Sequence, residues 1–190
     1  MFGREEDIAV LDNAWTNPQV NVVTIVAWAG VAKSTLVNLW LRRLAAEQYR
    51  SAGLVFGWSF YRQGTSGSSS SADEFLMRLS PGLEIQIHGS EQPRRRARFA
   101  KLVANRRTLL VLDGLEPLQN PPGPQEGRLR GASLQALLRE LAAFNKGLCV
   151  TTKRTAVADL ADLAGGSAPR RELEYLSSDF RCNAAAHAGR

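Results

Sequence analysis

The chain has 190 residues, 44% hydrophobic and 22% charged, a balance that supports one buried core and excludes an intrinsically disordered polymer. No apolar run is long enough to cross a bilayer, and the acidic opening MFGREEDIAV lacks the apolar stretch of a secretory signal. The net charge of +6 permits phosphate or acidic partners without demanding them. Cys149 and Cys182 are too far apart for the C-x-x-C spacing of zinc or redox sites. Cys149 reads as a small buried residue of a strand and Cys182 as an incidental thiol, so a reducing, cytoplasmic location is expected.

Apolar runs and helical patterns alternate along the chain. VNVVTIVAW (Val20–Trp28) reads as a first strand. From Lys33 to Tyr49, Leu36, Val37, Trp40, Leu41 and Leu44 recur at helical spacing and form one apolar face. LVFGWSF (Leu54–Phe60) follows as a second strand, then a flexible GTSGSSSS loop (Gly64–Ser71), then a weaker helix over Ala72–Leu79 with Ser71 as its cap. PRRRAR (Pro93–Arg98) reads as the exposed start of a helix to Asn105, with Phe99, Leu102 and Val103 facing inward; a nucleic-acid patch is the alternative. His88, before it, is expected in a loop. TLLVLDG (Thr108–Gly114) and GLCVTT (Gly147–Thr152) read as strands three and four, separated by the Pro/Gly-rich loop Asn120–Gly131 and a helix over Ser133–Phe144.

A further helix is expected over Thr155–Leu163, and RELEYL (Arg171–Leu176) alternates as an edge strand would. The first four strands look buried on both faces and therefore parallel. The expected fold is an α/β domain with right-handed crossovers, a five-stranded, mostly parallel sheet with helices on both faces. In such a sheet the loops at the strand carboxyl ends surround the ligand crevice. The segments 64–71 and 120–131 leave such ends, and plain connection is the reading favoured for both. DFRCNAAAHAGR (Asp179–Arg190), with His187, has no helical pattern and reads as a poorly ordered tail.

The first strand leads into AWAGVAKST, Ala27–Thr35. A strand, a tight loop, a lysine and a helix together bind phosphate, because loop N–H groups and the positive helix N-terminus converge on the anion. The pattern G-x-x-x-x-G-K-[ST] is met at Lys33, Ser34 and Thr35, but its two glycine positions hold Ala27 and Ala32. In this reading Ala29, Gly30, Val31 and Ala32 line the phosphates, Lys33 neutralises them, Ser34 ligates Mg²⁺ and Thr35 assists. Asp113 closes the third strand where an acid would order the metal's water shell. Glu116, three residues on, either polarises a water for attack or is a solvated loop carboxylate. CVTTKR (Cys149–Arg154) ends a strand in two threonines and two cations, where a cation can sense the outer phosphate.

Taken together, FGREEDIAVLDNAW, AGVAKSTL, LLVLDGLEPL and CVTTKR resemble the STAND class of P-loop NTPases, the NACHT and NB-ARC relatives in the AAA+ group. The resemblance implies a P-loop NTPase three-layer sandwich over residues 1–178, followed by the tail 179–190. It implies that Phe2, Gly3 and Arg4 lie against adenine and ribose, that Ser34 and Asp113 hold Mg²⁺, and that Thr151, Thr152 and Lys153 form the sensor, with Arg154 a substitute for the family's arginine. The implied ligands are ATP or ADP with Mg²⁺, and the implied role is a signalling or defence switch with protein partners or self-association through further domains. Nucleic acid and membrane are not expected partners.

Departures at Ala27, Ala32 and Lys153 point to weakened binding or turnover. If position 32 needs positive φ, alanine there costs about 1 kcal/mol. Glycine's absence also lets a methyl crowd the phosphate. By this resemblance the lid and the trigger-recognition module of such switches are expected to be missing, as in a truncated or decaying copy or a core cut from a larger protein. Two alternatives remain beside the switch: a pseudo-NTPase fragment acting only in protein interaction, and a DNA-associated ATPase.

Overall fold

The computed structural model describes residues 3–61, 72–79, 93–155 and 157–175. Five parallel strands form one sheet: β1 (Val22–Val26), β2 (Leu54–Ser59), β3 (Thr108–Asp113), β4 (Leu148–Lys153) and β5 (Arg170–Glu172), in the order β2-β3-β4-β1-β5. Successive strand residues point to opposite faces. Each face is therefore apolar in its own right and needs its own cover.

On one face Val23, Ile25, Val111 and Val150 pack against α1 (Glu5–Thr16) and α2 (Lys33–Ala46) through Leu11, Trp15, Leu36 and Trp40. On the other, Leu110, Leu112 and Cys149 pack against α3 (Ala72–Leu79), α4 (Pro93–Asn105) and α5 (Ala132–Ala143) through Phe75, Phe99, Val103, Leu134 and Leu138. The result is the expected three-layer α/β sandwich, with every strand parallel. The carboxyl ends of β3, β4 and β1 lie side by side, so groups ending those strands share one rim.

Some local expectations are corrected. The helix α1 lies in a segment whose helical period was not read from the sequence. Its first turn carries Glu5, Glu6 and Asp7, which suit the positive helix start, and Ile8, Leu11, Ala14 and Trp15 face the core. Strand β1 stops at Val26, and Trp28 stands 74% exposed beyond it rather than closing a buried strand. Helix α2 ends at Ala46, because Tyr49 and Arg50 take left-handed backbone angles that no α-helix continues through. β2 is an edge strand, only half-buried, and not a strand covered on both faces. Leu102 points outward at 41% exposure, while Phe99 and Val103 face inward as expected. The expected helix over 155–163 is a 3₁₀ turn, Ala158–Leu163, and the fifth strand is the short β5 at the sheet's other edge. The expectations for Ser71, His88, the 64–71 loop and the 179–190 tail lie outside the described residues.

Gly147, just before β4, sits so close to the start of β3 that an added Cβ would overlap the Thr108 backbone. Backbone cannot swing away as a side chain does. Gly147→Ala is expected to lower stability by about 1–3 kcal/mol, read as a lower denaturant midpoint at unchanged slope. A shift under a few tenths of a kcal/mol would mean that the two strands separate easily.

Candidate functional site

The phosphate-loop residues lie between β1 and α2 on the shared rim. Trp28, Ala29 and Gly30 are exposed, and Gly30 has φ +83°. Ala32 precedes α2 with φ 66° and ψ 37°, the left-handed region that favours glycine. The condition set by the sequence is thus met, and the alanine costs about 1–2 kcal/mol that glycine would not. Helix α2 has no side-chain cap at Ala32, which leaves its first N–H groups open to an anion.

Lys33 folds back over the loop. Its Nζ donates to the carbonyls of Ala27 (2.7 Å) and Trp28 (3.1 Å). Burial holds its ammonium below the ordinary value, Glu116 opposes this, Arg154 adds to it and Asp113 opposes it. Lys33 therefore feels three other charged groups, Glu116, Arg154 and Asp113.

Asp113 is the hub of a hydroxyl network. Its Oδ1 accepts from Ser34 Oγ (2.7 Å) and from Thr152 Oγ1 (2.6 Å), and its Oδ2 accepts from Ser59 Oγ (3.3 Å). Thr152 Oγ1 in turn accepts from the Gly114 N–H at 2.9 Å. This network follows from strand order: β4 lies between β3 and β1, so Thr152 bridges Asp113 towards the phosphate loop. A serine hydroxyl touching a carboxylate at a helix N-terminus is the donor set a hard cation takes beside a phosphate, so Ser34 and Asp113 fit Mg²⁺. Thr35 is exposed on the next position of α2.

At the end of β4 the two cations part, Lys153 closing the strand and Arg154 standing in the bend after it. Thr151 Oγ1 donates to Thr24 Oγ1 on β1 at 3.1 Å and is buried. Lys153 is fully buried on the α5 side of the sheet, where Glu116 and Asp159 are the charges that act on it. Arg154 is exposed and acts on Lys33 and Tyr61. The structure therefore brings Arg154, and not the expected Lys153, to the open rim.

Arg4 is buried at 4% exposure and does not present a free guanidinium. It donates to Asp7 Oδ2 (3.1 Å), to the Val31 carbonyl (3.3 Å) and to the Glu174 carbonyl (2.8 Å). It thereby ties α1, the phosphate loop and the segment after β5 together. Gly3, beside it, has φ +80°, and Phe2 lies outside the described residues. The sequence reading missed Asp7 and Arg171, which complete this tie, Arg171 Nε donating to Asp7 Oδ1 at 2.7 Å. It also missed Tyr175, whose hydroxyl donates to the Ala29 carbonyl at 3.3 Å, and Ser59. An arginine three residues before an acid at a helix start was the available signal for Asp7; Tyr175 and Ser59 had none.

No helix among the described residues is long and apolar enough to cross a membrane.

The strand order, the loop-to-helix lysine and serine, and the acid on the neighbouring strand end define a P-loop NTPase-type α/β domain. The family model for the NACHT domain matches residues 21–181, and the chain belongs to that family. It carries the nucleotide-binding NTPase type of core that the family and fold define. Among curated proteins no match is found. Among solved structures the chain is similar to the Aeropyrum pernix ORC1 protein in complex with DNA, with a TM-score of 0.64 and 16% identity over 98% of this chain and 49% of that one. It is similar to Cdc6p from Pyrobaculum aerophilum, with a TM-score of 0.58 and 14% identity over 97% and 48%. The Aeropyrum pernix ORC2 protein in ADPNP–ADP complexes gives 0.56 and 14% over 91% and 48%. The chain spans about half the length of these proteins, and the likeness is one of fold.

Proposed function

We propose that this domain is the ATP/ADP-binding core of a STAND-type signalling or defence switch, with weakened nucleotide affinity and slow or absent turnover. The observation that carries the reading is the Ser34–Asp113 contact at 2.7 Å beside Lys33 at the open N-terminus of α2. In this reading a phosphate draws Lys33 Nζ off the Ala27 and Trp28 carbonyls. Ser34 and Asp113 hold Mg²⁺, which neutralises charge between the outer phosphates. Thr152 fixes the rotamer of Asp113, Arg154 faces the outer phosphate, and Glu116 orients the attacking water. Ala29, Gly30 and Val31 supply backbone to the phosphates, while Gly3 and Arg4 border the base and ribose, Arg4 as a strut and not as a direct ligand. Partner proteins act through regions beyond this domain.

Weak binding follows from Ala32. Its methyl stands next to the lysine, where it crowds an incoming phosphate. The test is the melting temperature in millimolar ATP or ADP with Mg²⁺. A ligand at 100 times its Kd stabilises by about 2.7 kcal/mol. A rise is expected, Lys33→Ala abolishes it, and Ala32→Gly enlarges it by removing the methyl beside the phosphate site; relief of the left-handed strain, already present without nucleotide, raises the melting temperature with or without ligand. No rise in either the natural protein or Ala32→Gly sinks the reading in favour of a pseudo-NTPase.

A further inference from the structure

The carbonyls of Ala27, Trp28, Ala29 and Val31 in the phosphate loop all accept hydrogen bonds from side chains, and the donors are of two kinds. Lys33, from within the motif, holds the Ala27 and Trp28 carbonyls at 2.7 and 3.1 Å. The other donors come from outside it. The Tyr175 hydroxyl donates to the Ala29 carbonyl at 3.3 Å, and Arg4 Nη2 donates to the Val31 carbonyl, also at 3.3 Å. In a trans peptide the N–H points opposite to the carbonyl of the same unit. An Ala29 carbonyl fixed towards Tyr175 therefore turns the Gly30 N–H away from that side chain, and a Val31 carbonyl fixed towards Arg4 does the same for the Ala32 N–H. Gly30 and Ala32 are also the loop residues with left-handed backbone, φ +83° and 66°, a conformation that lets nearby N–H groups line an anion cradle.

Tyr175 is itself held in place. The Leu173 N–H donates to the Val26 carbonyl at 2.8 Å, and Arg4 Nη2 donates to the Glu174 carbonyl at 2.8 Å. The residues before Tyr175 are thus tied to β1 and to the buried Arg4. The tyrosine is 59% exposed, so little of the core depends on its ring. An arriving phosphate treats the two kinds of donor differently. It draws Lys33 off the loop, whereas Tyr175 and Arg4 keep their carbonyls.

We propose that the Tyr175 hydroxyl is a positioning group for phosphate binding, which together with Arg4 keeps the Gly30 and Ala32 N–H groups turned to the anion once Lys33 has let go of the loop. The ligand part it serves is the polyphosphate of a nucleotide and not the base. The proposal rests on the function proposed above. Because Lys33 shares the bracing only in the empty site, loss of the Tyr175 hydroxyl bears more on the occupied site than on the empty one. That difference lowers affinity, since the ligand must then hold the loop in its binding form unaided.

The experiment compares the natural protein with Tyr175→Phe, which removes the hydroxyl alone, in melting-temperature titrations of ATP and of inorganic tripolyphosphate, each with Mg²⁺. Without ligand the melting temperature is expected to stay nearly the same, as for other exposed substitutions. The apparent Kd is expected to rise about threefold for both ligands, the effect of one neutral hydrogen bond. An unchanged Kd overturns the proposal. A loss with ATP but not with tripolyphosphate overturns it too, by placing Tyr175 against the base. A readout without nucleotide tests the brace directly. The carbonyl-carbon NMR signal of Ala29 is expected to move in Tyr175→Phe, and those of Ala27 and Trp28 in Lys33→Met. An Ala29 signal that Tyr175→Phe leaves in place overturns the brace even where nucleotide binds. Absence of binding in both the natural protein and Ala32→Gly removes the proposed function and this role of Tyr175 together, whereas binding that Tyr175→Phe does not weaken removes the role of Tyr175 alone.

Discussion

Asp7→Ala is expected to destabilise the domain by about 3–5 kcal/mol, as an unfolding free energy in urea. Asp7 is buried at 5% exposure and accepts from Arg4 Nη1 and Arg171 Nε. Without it the Arg4 guanidinium stays buried with only the Val31 and Glu174 carbonyls as acceptors. Two carbonyls do not neutralise a cation. Arg171 is less affected, because its side chain is 37% exposed and lies 3.9 Å from Glu6. Arg4→Met makes the comparison: Asp7 keeps Arg171, so the loss is smaller than for Asp7→Ala. Loosening this tie frees the phosphate loop at Val31, so proteolytic nicking at the loop accompanies the loss of stability. A cost under about 1 kcal/mol for Asp7→Ala would show that the tie is dispensable.

Asp113→Ala is expected to remove the Mg²⁺-dependent part of any nucleotide stabilisation altogether. The carboxylate is the acceptor for Ser34, Thr152 and Ser59 and the anionic member of the donor set for a hard cation. With alanine, three hydroxyls lose one acceptor and the α2 start loses its link to β3. A cost of about 1–3 kcal/mol in the unliganded protein accompanies the loss. Asp113→Asn keeps an acceptor for the hydroxyls, so it spares much of the stability and still loses the metal effect. The check is the melting temperature with nucleotide, in Mg²⁺ against EDTA. An undiminished Mg²⁺ effect in Asp113→Ala would move the metal away from this rim.

Much of this was legible before the structure, and the reason is periodicity. The runs at Val22–Val26, Thr108–Asp113 and Leu148–Lys153 are short, apolar and bounded, and they are the sheet centre. The Leu36, Val37, Trp40, Leu44 spacing is helical, and it is α2. Lys33 and Ser34 were found because they stand at a strand-to-helix junction, and Asp113 because it ends an apolar strand. Less legible was α1, where Ile8, Leu11 and Trp15 are interleaved with acids and the face becomes apparent only against β1 and α2. The 155–163 segment was read as a helix, whereas Ala158–Leu163 forms a 3₁₀ turn, a tighter winding used in short connecting pieces.

The sequence by itself determined the alternation of strand and helix, the lysine and serine at the start of α2, and the two alanines in the phosphate loop. These are local matters, settled by which side chains share a strand face or a helix face. Tertiary structure decided what strand order and pleat decide. With β4 between β3 and β1, Thr152 meets Asp113, and Asp113 meets Ser34 from 79 residues away. Lys153 closes β4 and is buried, while Arg154 lies in the bend after the strand and is exposed. The burial of Arg4 belongs to the same category, imposed by carbonyls from segments distant in the chain. The left-handed backbone of Ala32, by contrast, is the condition that its place in the phosphate-loop pattern raised.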